Sequence, residues 1–341
     1  MQKPVTEGAS TITPAASTAP LIEATNVSKS FIVSDGPLHR LRRQPPVQLH
    51  AVRDLSLTIE RGETVGLVGE SGCGKTTFGR CVVRLYRPSS GHISHNGVDI
   101  FSAGSGRGRD RGAVQMIFQD PYSSLNPRMT VSQTLSEVLR VQRGLTGRAV
   151  TQRVSELLEQ VGLLPYLAAR YPNQLSGGQR QRVGIARALA VEPDFIVCDE
   201  AVSALDVSVQ AQVLNLLVRL QDELGLTYLF IAHNLGVVRH ISKRVSVMYL
   251  GRVIETGAVE DLFREPLHPY SQALLRAMPL MDTRRRSLEE AVTGDLPSPI
   301  APPPGCPFHP RCPHAMPRCR EELPRLKTVA PGRTVACFLH E

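Results

Sequence analysis

The sequence has no tryptophan, and aromatic residues make up only 5% of its 341 positions. Surfaces that bind single-stranded nucleic acid interleave aromatic rings with basic side chains. This scarcity disfavours such a platform, and no nucleic-acid partner is expected. The chain also lacks an apolar run of about 20 residues, the length needed to cross a bilayer. Residues 1–20 contain no basic segment followed by an apolar one, so no secretory signal is expected and the chain is expected to stay in the cytoplasm. No internal repeat is visible. Neither sign of charge dominates: 39 Lys and Arg against 31 Asp and Glu leave a formal charge of +8. That balance suits phosphates or an anionic membrane surface, without choosing between them. The cysteines do not form a dispersed disulfide framework. Of the seven, four fall between 306 and 337, which points to a local metal site. The 42% hydrophobic content is ordinary for a soluble globular protein, and the length allows one large domain with an appendage, or two domains.

The chain is organised around Gly69-Glu70-Ser71-Gly72-Cys73-Gly74-Lys75-Thr76, followed by Thr77. It fits G-x-x-x-x-G-K-[ST]. Residues 63–68 read as a buried strand. Phe78, Cys81, Val82 and Leu85 then fall at helical spacing. Glycines let successive N–H groups converge, and the helix N-terminus adds partial positive charge, so this strand–loop–helix unit predicts a phosphate cradle. Lys75 would reach the β- and γ-phosphates, and the Thr76 hydroxyl would bind Mg²⁺. The alternative is a Gly-rich turn without a ligand.

Residues 1–20 are rich in Thr, Ala, Ser and Pro and read as a disordered leader. Strands are expected at 22–27 and 31–33. Residues 35–48, with His39, Arg40, Arg42 and Arg43, read as a surface loop whose basic cluster is a solvated face or a membrane-facing one. Alternation at Leu55, Leu57 and Ile59 predicts a half-buried strand. Asn96-Gly97 predicts a hairpin turn, and residues 104–112 a Gly/Arg loop. Residues 114–118 read as a strand ending at Gln119. From about 120 helical patterns take over, with a clear stripe at Val154, Leu157, Leu158 and Val161. Residues 178–190 read as helix, 195–198 as strand, the stripe at Val213, Leu216, Leu217 and Leu220 as helix, and 228–232 and 245–249 as strands. Short buried strands alternating with helices predict an α/β fold with a mostly parallel sheet covered on both faces. Beyond Pro266 a separate tail is expected, with a helix at 268–278, a charged turn at Arg284-Arg285-Arg286, and a Pro-rich lead into the cysteines.

Two further motifs carry chemistry. Phe195-Ile196-Val197-Cys198-Asp199-Glu200 is an apolar strand ending in two acids, at the strand end where open α/β sheets place ligands. Asp199 would hold Mg²⁺, directly or through water, and Glu200 would polarise the attacking water as general base. The alternative is an acidic strand end that only caps a helix. Leu175-Ser176-Gly177-Gly178-Gln179 then opens a helix with Arg180, Gln181 and Arg182, presenting N–H groups and a hydroxyl suited to phosphate.

This last motif resembles the signature sequence of ABC-type ATPases, and residues 21–265 resemble that family throughout. The resemblance implies a P-loop NTPase core with an antiparallel β-subdomain, a helical subdomain inserted at about 120–184, and a C-terminal extension at 266–341. It implies that Ser176, Gly177, Gly178 and Gln179 face the ATP held by a second subunit. Gln119 matches the Q-loop glutamine that senses Mg²⁺ and water. Asp206, in Ser203-Ala204-Leu205-Asp206, matches the loop crossing the dimer interface. His233 matches the switch histidine contacting the γ-phosphate. Phe31 is the candidate for stacking on adenine, with a core strand residue as the alternative. Three departures stand out: Ala201 where many relatives have Pro, Ala232-His233-Asn234 where Thr-His-Asp is common, and Gln174 where an acid is frequent.

The loop wording, the stretch Gln119-Asp120-Pro121-Tyr122-Ser123-Ser124-Leu125-Asn126-Pro127-Arg128, and the tail Gly305-Cys306-Pro307-Phe308-His309-Pro310-Arg311-Cys312-Pro313 together resemble ATPase subunits of oligopeptide/dipeptide importers. That resemblance implies ATP-driven peptide uptake from a peripheral position on the cytoplasmic face of the cell membrane. The implied partners are two transmembrane permease subunits, a second and non-identical ATPase subunit, and an extracytoplasmic solute-binding protein. Cys306, Cys312, Cys319 and Cys337, separated by five, six and seventeen residues, could hold a [4Fe–4S] cluster or zinc. Similar tails in the family carry iron–sulfur clusters, and the cluster is favoured over zinc, with His309 and His314 as substitute zinc ligands and unligated thiols third. Cys73, Cys81 and Cys198 are expected to be packing residues. Two rival functions are a soluble ABC ATPase acting on DNA or ribosomes and a redox-sensing regulatory subunit.

Overall fold

A computed structural model describes residues 19–34, 47–102, 112–277 and 297–341. Nearly all of the expected leader, most of the basic loop at 35–48, the Gly/Arg run apart from Gly112, and the Arg284-Arg285-Arg286 turn lie outside the described residues.

Two sheets carry the architecture. The smaller is antiparallel in the order β2-β1-β4-β5, built from β1 (Ile22–Ser34), β2 (Val47–Ile59), β4 (Ser90–His95) and β5 (Val98–Asp99). The expected hairpin is present: Ser94 pairs with Asp99 and His95 with Val98. Asn96 and Gly97 turn at φ 50° and 75°, as a two-residue hairpin turn requires. The two short strands expected at 22–27 and 31–33 are one bulged strand, because β1 pairs with β2 on one side and β4 on the other.

The larger sheet has eight strands in the order β11-β12-β10-β9-β3-β8-β7-β6. Its centre is parallel: β9 (Arg244–Tyr249), β3 (Thr64–Val68), β8 (Thr227–Ala232), β7 (Phe195–Asp199) and β6 (Val114–Ile117). These strands are buried on both faces, and their side chains alternate between two apolar cores. Phe195 and Val197 join the core with β1, β2 and α1 (Lys75–Val82), whereas Ile196 and Cys198 join the core of the helices that follow. Those helices include α2 (Val131–Arg143), α3 (Gly147–Gln160) and α4 (Gly177–Leu189), which lie between β6 and β7 in the chain. Later come α5 (Val207–Leu224) and α6 (Leu235–Ile241). The helix after the loop is shorter than its apolar spacing suggests. It ends at Val82, and Leu85 is 55% exposed instead of sharing the buried stripe.

The tail is less separate than expected. After β10 (Arg252–Ala258), α7 (Val259–Arg264) and α8 (Pro269–Arg276), the chain returns through α9 (Pro317–Glu321) to β11 (Lys327–Ala330) and β12 (Arg333–Val335). β12 pairs antiparallel with β10, Glu255 opposite Val335, so the tail extends the main sheet. Phe308, 2% exposed, is wedged against Tyr249 and Tyr270 with ring centroids 5.3 and 5.4 Å away. Burying such a ring is worth about 2–3 kcal/mol. Cys73, Cys81 and Cys198 are buried in the apolar cores, and Cys73 Sγ also accepts from Lys75 Nζ at 3.7 Å.

Candidate active site

The site collects at the C-terminal ends of β3, β7 and β8. Beyond β3 the loop bends through Gly69 at φ 154° and Gly74 at φ 106°. A side chain at Gly74 would strike the carbonyl of Ala51, and one at Gly69 that of Met248, so only glycine lets the loop pass. α1 begins at Lys75 without a side-chain cap. Its first N–H groups are therefore left for another acceptor. Lys75 is 4% exposed, and its Nζ donates to the carbonyls of Gly69 at 2.7 Å and Glu70 at 2.9 Å. The ammonium is thus curled back over its own loop, where a phosphate would compete for it. Ser71 and Gly72 are exposed, and Cys73 is buried beneath them.

Thr76 Oγ1 donates to Asp199 Oδ1 across 2.8 Å, joining the start of α1 to the end of β7. Burial raises the Asp199 carboxyl above its usual range, opposed chiefly by the Thr76 hydrogen bond. A buried carboxylate beside a hydroxyl is an oxygen-only donor pair that suits a hard cation. Mg²⁺ keeps several waters and needs only one or two carboxylates besides phosphate oxygens. Among the described residues, no group of three or more His, Cys, Asp and Glu could hold a metal ion by itself.

The next residue, Glu200, takes φ 45° and is braced by Ser203, whose N–H and Oγ both donate to its carbonyl. Its side chain is 13% exposed. Glu200 Oε2 accepts from Gln119 Nε2 at 2.9 Å and lies 3.3 Å from His233 Nδ1. Gln119 follows β6, Glu200 follows β7, and His233 follows β8, so three strand ends bring these side chains to one carboxylate oxygen. A carboxylate held this way can orient a water and accept its proton. Ala201 is buried, and Asn234 caps α6 by accepting from Gly236 N–H at 2.8 Å, so both departures have structural uses.

Ser176 caps α4 in a reciprocal capping box: its Oγ accepts from Gln179 N–H at 3.2 Å and Gln179 Oε1 accepts from Ser176 N–H at 3.0 Å. A side chain added at Gly178 would meet Val209 Cγ1 at 2.5 Å, and one at Gly177 would meet Leu205 at 3.3 Å. The signature turn therefore rests on the segment containing Asp206, which is exposed at the start of α5. Gln174 Oε1 accepts from Tyr171 N–H. Among the described residues, no hydrogen bond joins residues 176–179 to residues 69–77 or to Glu200. Phe31 is half-buried, edge-on to Tyr86 with centroids 5.4 Å apart, and Lys29 Nζ stands 5.1 Å from its ring. Tyr86 was not foreseen as its partner, since nothing in local spacing links positions 31 and 86.

Two placements differ from a simple nucleotide contact list. The Glu70 carboxylate is held by Arg311 through two hydrogen bonds of 2.9 Å, and its N–H donates to Tyr270 Oη. Arg311 had no assigned role, although it stands between Cys306 and Cys312. Those cysteines lie with Cys319 and Cys337 within mutual electrostatic reach: burial first, and then the neighbouring thiols, push Cys306 up to about 11. The Cys312 and Cys337 thiols are raised for the same reasons. They are nonetheless not gathered tightly enough to form an ion-sized ligand group among the described residues. His309 Nδ1 is already 3.0 Å from the Cys306 carbonyl.

The ABC transporter family profile matches residues 52–203, and the profile of the oligopeptide/dipeptide transporter C-terminal region matches residues 254–319. The chain is 48% identical over 330 residues to the oligopeptide transport ATP-binding protein AppF of Bacillus subtilis (strain 168), covering 96% of this chain and 99% of that protein. It is 52% identical over 297 residues to the putative oligopeptide transport ATP-binding protein YkfD of the same organism, covering 85% and 89%. Among solved structures, cbiO1 of Clostridium perfringens, part of the ABC transporter complex cbiONQ, superposes with TM-score 0.61 at 29% identity, covering 72% of this chain and 92% of that one. The dimeric post-hydrolysis structure of the ATP-binding cassette MJ0796 with ADP and Pi gives TM-score 0.60 at 28% identity, covering 70% and 98%. The matched span contains residues 69–77, the acidic end of β7 and the turn at 176–179, and the chain belongs to the ATP-binding subunits of ABC transporters.

Proposed function

We propose that this ATPase powers import of oligopeptides or dipeptides, acting peripherally at the cytoplasmic face of the cell membrane. The observation that carries the catalytic part is the meeting of Gln119, Glu200 and His233 at one carboxylate oxygen, beside the Thr76–Asp199 pair. The cargo class comes from the oligopeptide transport proteins to which most of the chain is similar.

In this reading residues 21–265 form the ATPase domain, with a helical subdomain at about 120–184, after a leader at 1–20. Residues 266–341 form the extension. ATP phosphates occupy the loop of residues 69–77, and Lys75 leaves the Gly69 and Glu70 carbonyls to meet them. Phe31 stacks on adenine. Thr76, Asp199 and Gln119 face Mg²⁺, which when bound neutralises phosphate charge. Glu200 takes the proton of the attacking water while Gln119 holds its carboxylate in place, and His233 contacts the γ-phosphate. Ser176, Gly177, Gly178 and Gln179 reach the ATP of a second ATPase subunit, with Asp206 at the shared interface. A dimeric cassette among the similar structures supports this pairing.

Two permease subunits and an extracytoplasmic solute-binding protein complete the importer. No described helix is long and apolar enough to cross a membrane. A groove of about 390 Å³ lined by Leu85, Met116, Phe118, Val138 and Arg187 lies between α1, β6, α2 and α4 and suits a permease segment. Cys306, Cys312, Cys319 and Cys337 offer a sulfur-only set of free cysteines. Four sulfur ligands with no nitrogen among them are compatible with a [4Fe–4S] cluster, favoured here over zinc, which when bound would cross-link the extension. Affinity purification of the tagged chain from detergent-solubilised membranes is expected to recover polytopic permease subunits. Recovery of nucleic acid or ribosomes in their place would overturn the proposal.

A further inference from the structure

The residue after Gly69 is tied down from an unexpected direction. Arg311 lies on a short 3₁₀ turn, His309–Arg311, between Cys306 and Cys312. Its Nη1 donates to Glu70 Oε2 and its Nη2 to Glu70 Oε1, both at 2.9 Å. Nη1 also stands 3.4 Å from Tyr249 Oη. The Arg311 side chain is 7% exposed and that of Glu70 26%. The Glu70 N–H donates to Tyr270 Oη at 2.8 Å, and its carbonyl accepts from Lys75 Nζ at 2.9 Å. Side chain and N–H of Glu70 are thus held by residues beyond 265, while its carbonyl holds the ammonium meant for phosphate.

Docking the extension does not require this pair. Phe308 is already seated among Tyr249, Tyr270 and His268, and β12 already pairs with β10. Desolvating a guanidinium and a carboxylate is a poor way to add adhesion. A planar two-point pair does fix orientation. What it orients here is Glu70, and through the Glu70 carbonyl, Lys75.

We infer that Arg311 is a positioning residue for the phosphate loop, so that the cysteine-bearing turn of the C-terminal extension sets how well this subunit binds ATP. The inference rests on the nucleotide reading of residues 69–77 and adds a support that the loop sequence does not contain. Movement of the turn between Cys306 and Cys312 reaches the loop through this ion pair.

The test uses the full-length chain, with a fluorescent trinitrophenyl-ATP titrated against wild type, Arg311→Ala, Arg311→Lys, Glu70→Gln and the double variant Arg311→Ala/Glu70→Gln. Arg311→Ala and Glu70→Gln are each expected to raise the dissociation constant about tenfold, as a misplaced binding group does. The double variant should be no weaker than the worse single, because both singles break one link. In steady state the KM for ATP should rise in the same proportion, with kcat changing less, and Arg311→Lys should recover part of the loss. Should Arg311→Ala fail to fold, Glu70→Gln carries the same test, since it keeps the side-chain shape. A folded variant binding within about twofold of wild type, or single effects that add in the double, would overturn the inference. A wild-type chain that bound no nucleotide would overturn the nucleotide reading along with it, so the two failures are separable.

Discussion

Gln119 Nε2 donates to Glu200 Oε2 across 2.9 Å, joining positions 81 residues apart. The same oxygen faces His233 Nδ1 at 3.3 Å. A glutamine that can only donate through its amide nitrogen here points Glu200 in one direction, leaving the other carboxylate oxygen for water. The helices of residues 120–189 begin directly beyond Gln119, so displacement of that region changes how the Glu200 carboxylate, the proposed general base, is held.

Glu200→Gln is expected to lower steady-state ATP hydrolysis by about 10²–10⁴-fold, the usual contribution of a positioned base. ATP affinity and melting temperature should change little, because the amide keeps the shape and one acceptor oxygen. Hydrolysis near the wild-type rate would remove Glu200 from its proposed role.

Gly178→Leu tests the signature turn. The added side chain collides with Val209 and displaces residues 176–179. If that turn serves the ATP of a second subunit, the variant should bind nucleotide like wild type yet lose more than about tenfold in hydrolysis. Equal loss of binding and hydrolysis in the isolated chain would place the turn in its own subunit's site instead.

Acid should destabilise the protein through His268. Burial, with His340 adding to it, pushes this imidazole down to about 3, and its Nδ1 accepts from Tyr270 N–H at 3.0 Å. His340 and Glu255, which accepts from the N–H groups of Leu267 and His268, are the titratable neighbours. A depressed pKa means that the folded state binds the proton less readily than the unfolded one. The contribution is complete above the ordinary value near pH ~6.5 and is lost as pH falls toward 3. His268→Asn keeps a capping acceptor without the titration. Between pH 7 and pH 5, wild type should lose about 2 kcal/mol more than this variant, measured by chemical denaturation. Parallel losses would show that the buried imidazole is not the titrating group.

Anaerobically purified protein should carry iron and acid-labile sulfide, with broad visible absorbance that Cys319→Ser diminishes. One equivalent of zinc without iron would overturn the cluster in favour of a single-ion site.

The loop of residues 69–76, the hairpin at Asn96-Gly97, the acidic end of β7 and the signature turn were legible in the sequence. Each is built from contiguous residues whose backbone or strand pattern is itself the structure. A phosphate cradle needs glycines at given places in one stretch, and a hairpin turn needs residues that tolerate positive φ. The apolar alternation of β7 and β8 likewise marks strands buried on both faces.

Only the tertiary structure decided how these pieces meet. The parallel sheet sets the ends of β6, β7 and β8 side by side, which is why Gln119, Glu200 and His233 share one oxygen. It also decided that the tail joins the main sheet through β12, that Leu85 lies outside the α1 stripe, and that Arg311 grips Glu70 from 241 residues away. No local propensity encodes such contacts, because they form when burial of Phe308 and the sheet cores brings distant segments together. The loop of residues 69–76 is written in one stretch of chain, whereas the contact that braces it from Arg311 and the meeting of Gln119, Glu200 and His233 are assembled by the fold.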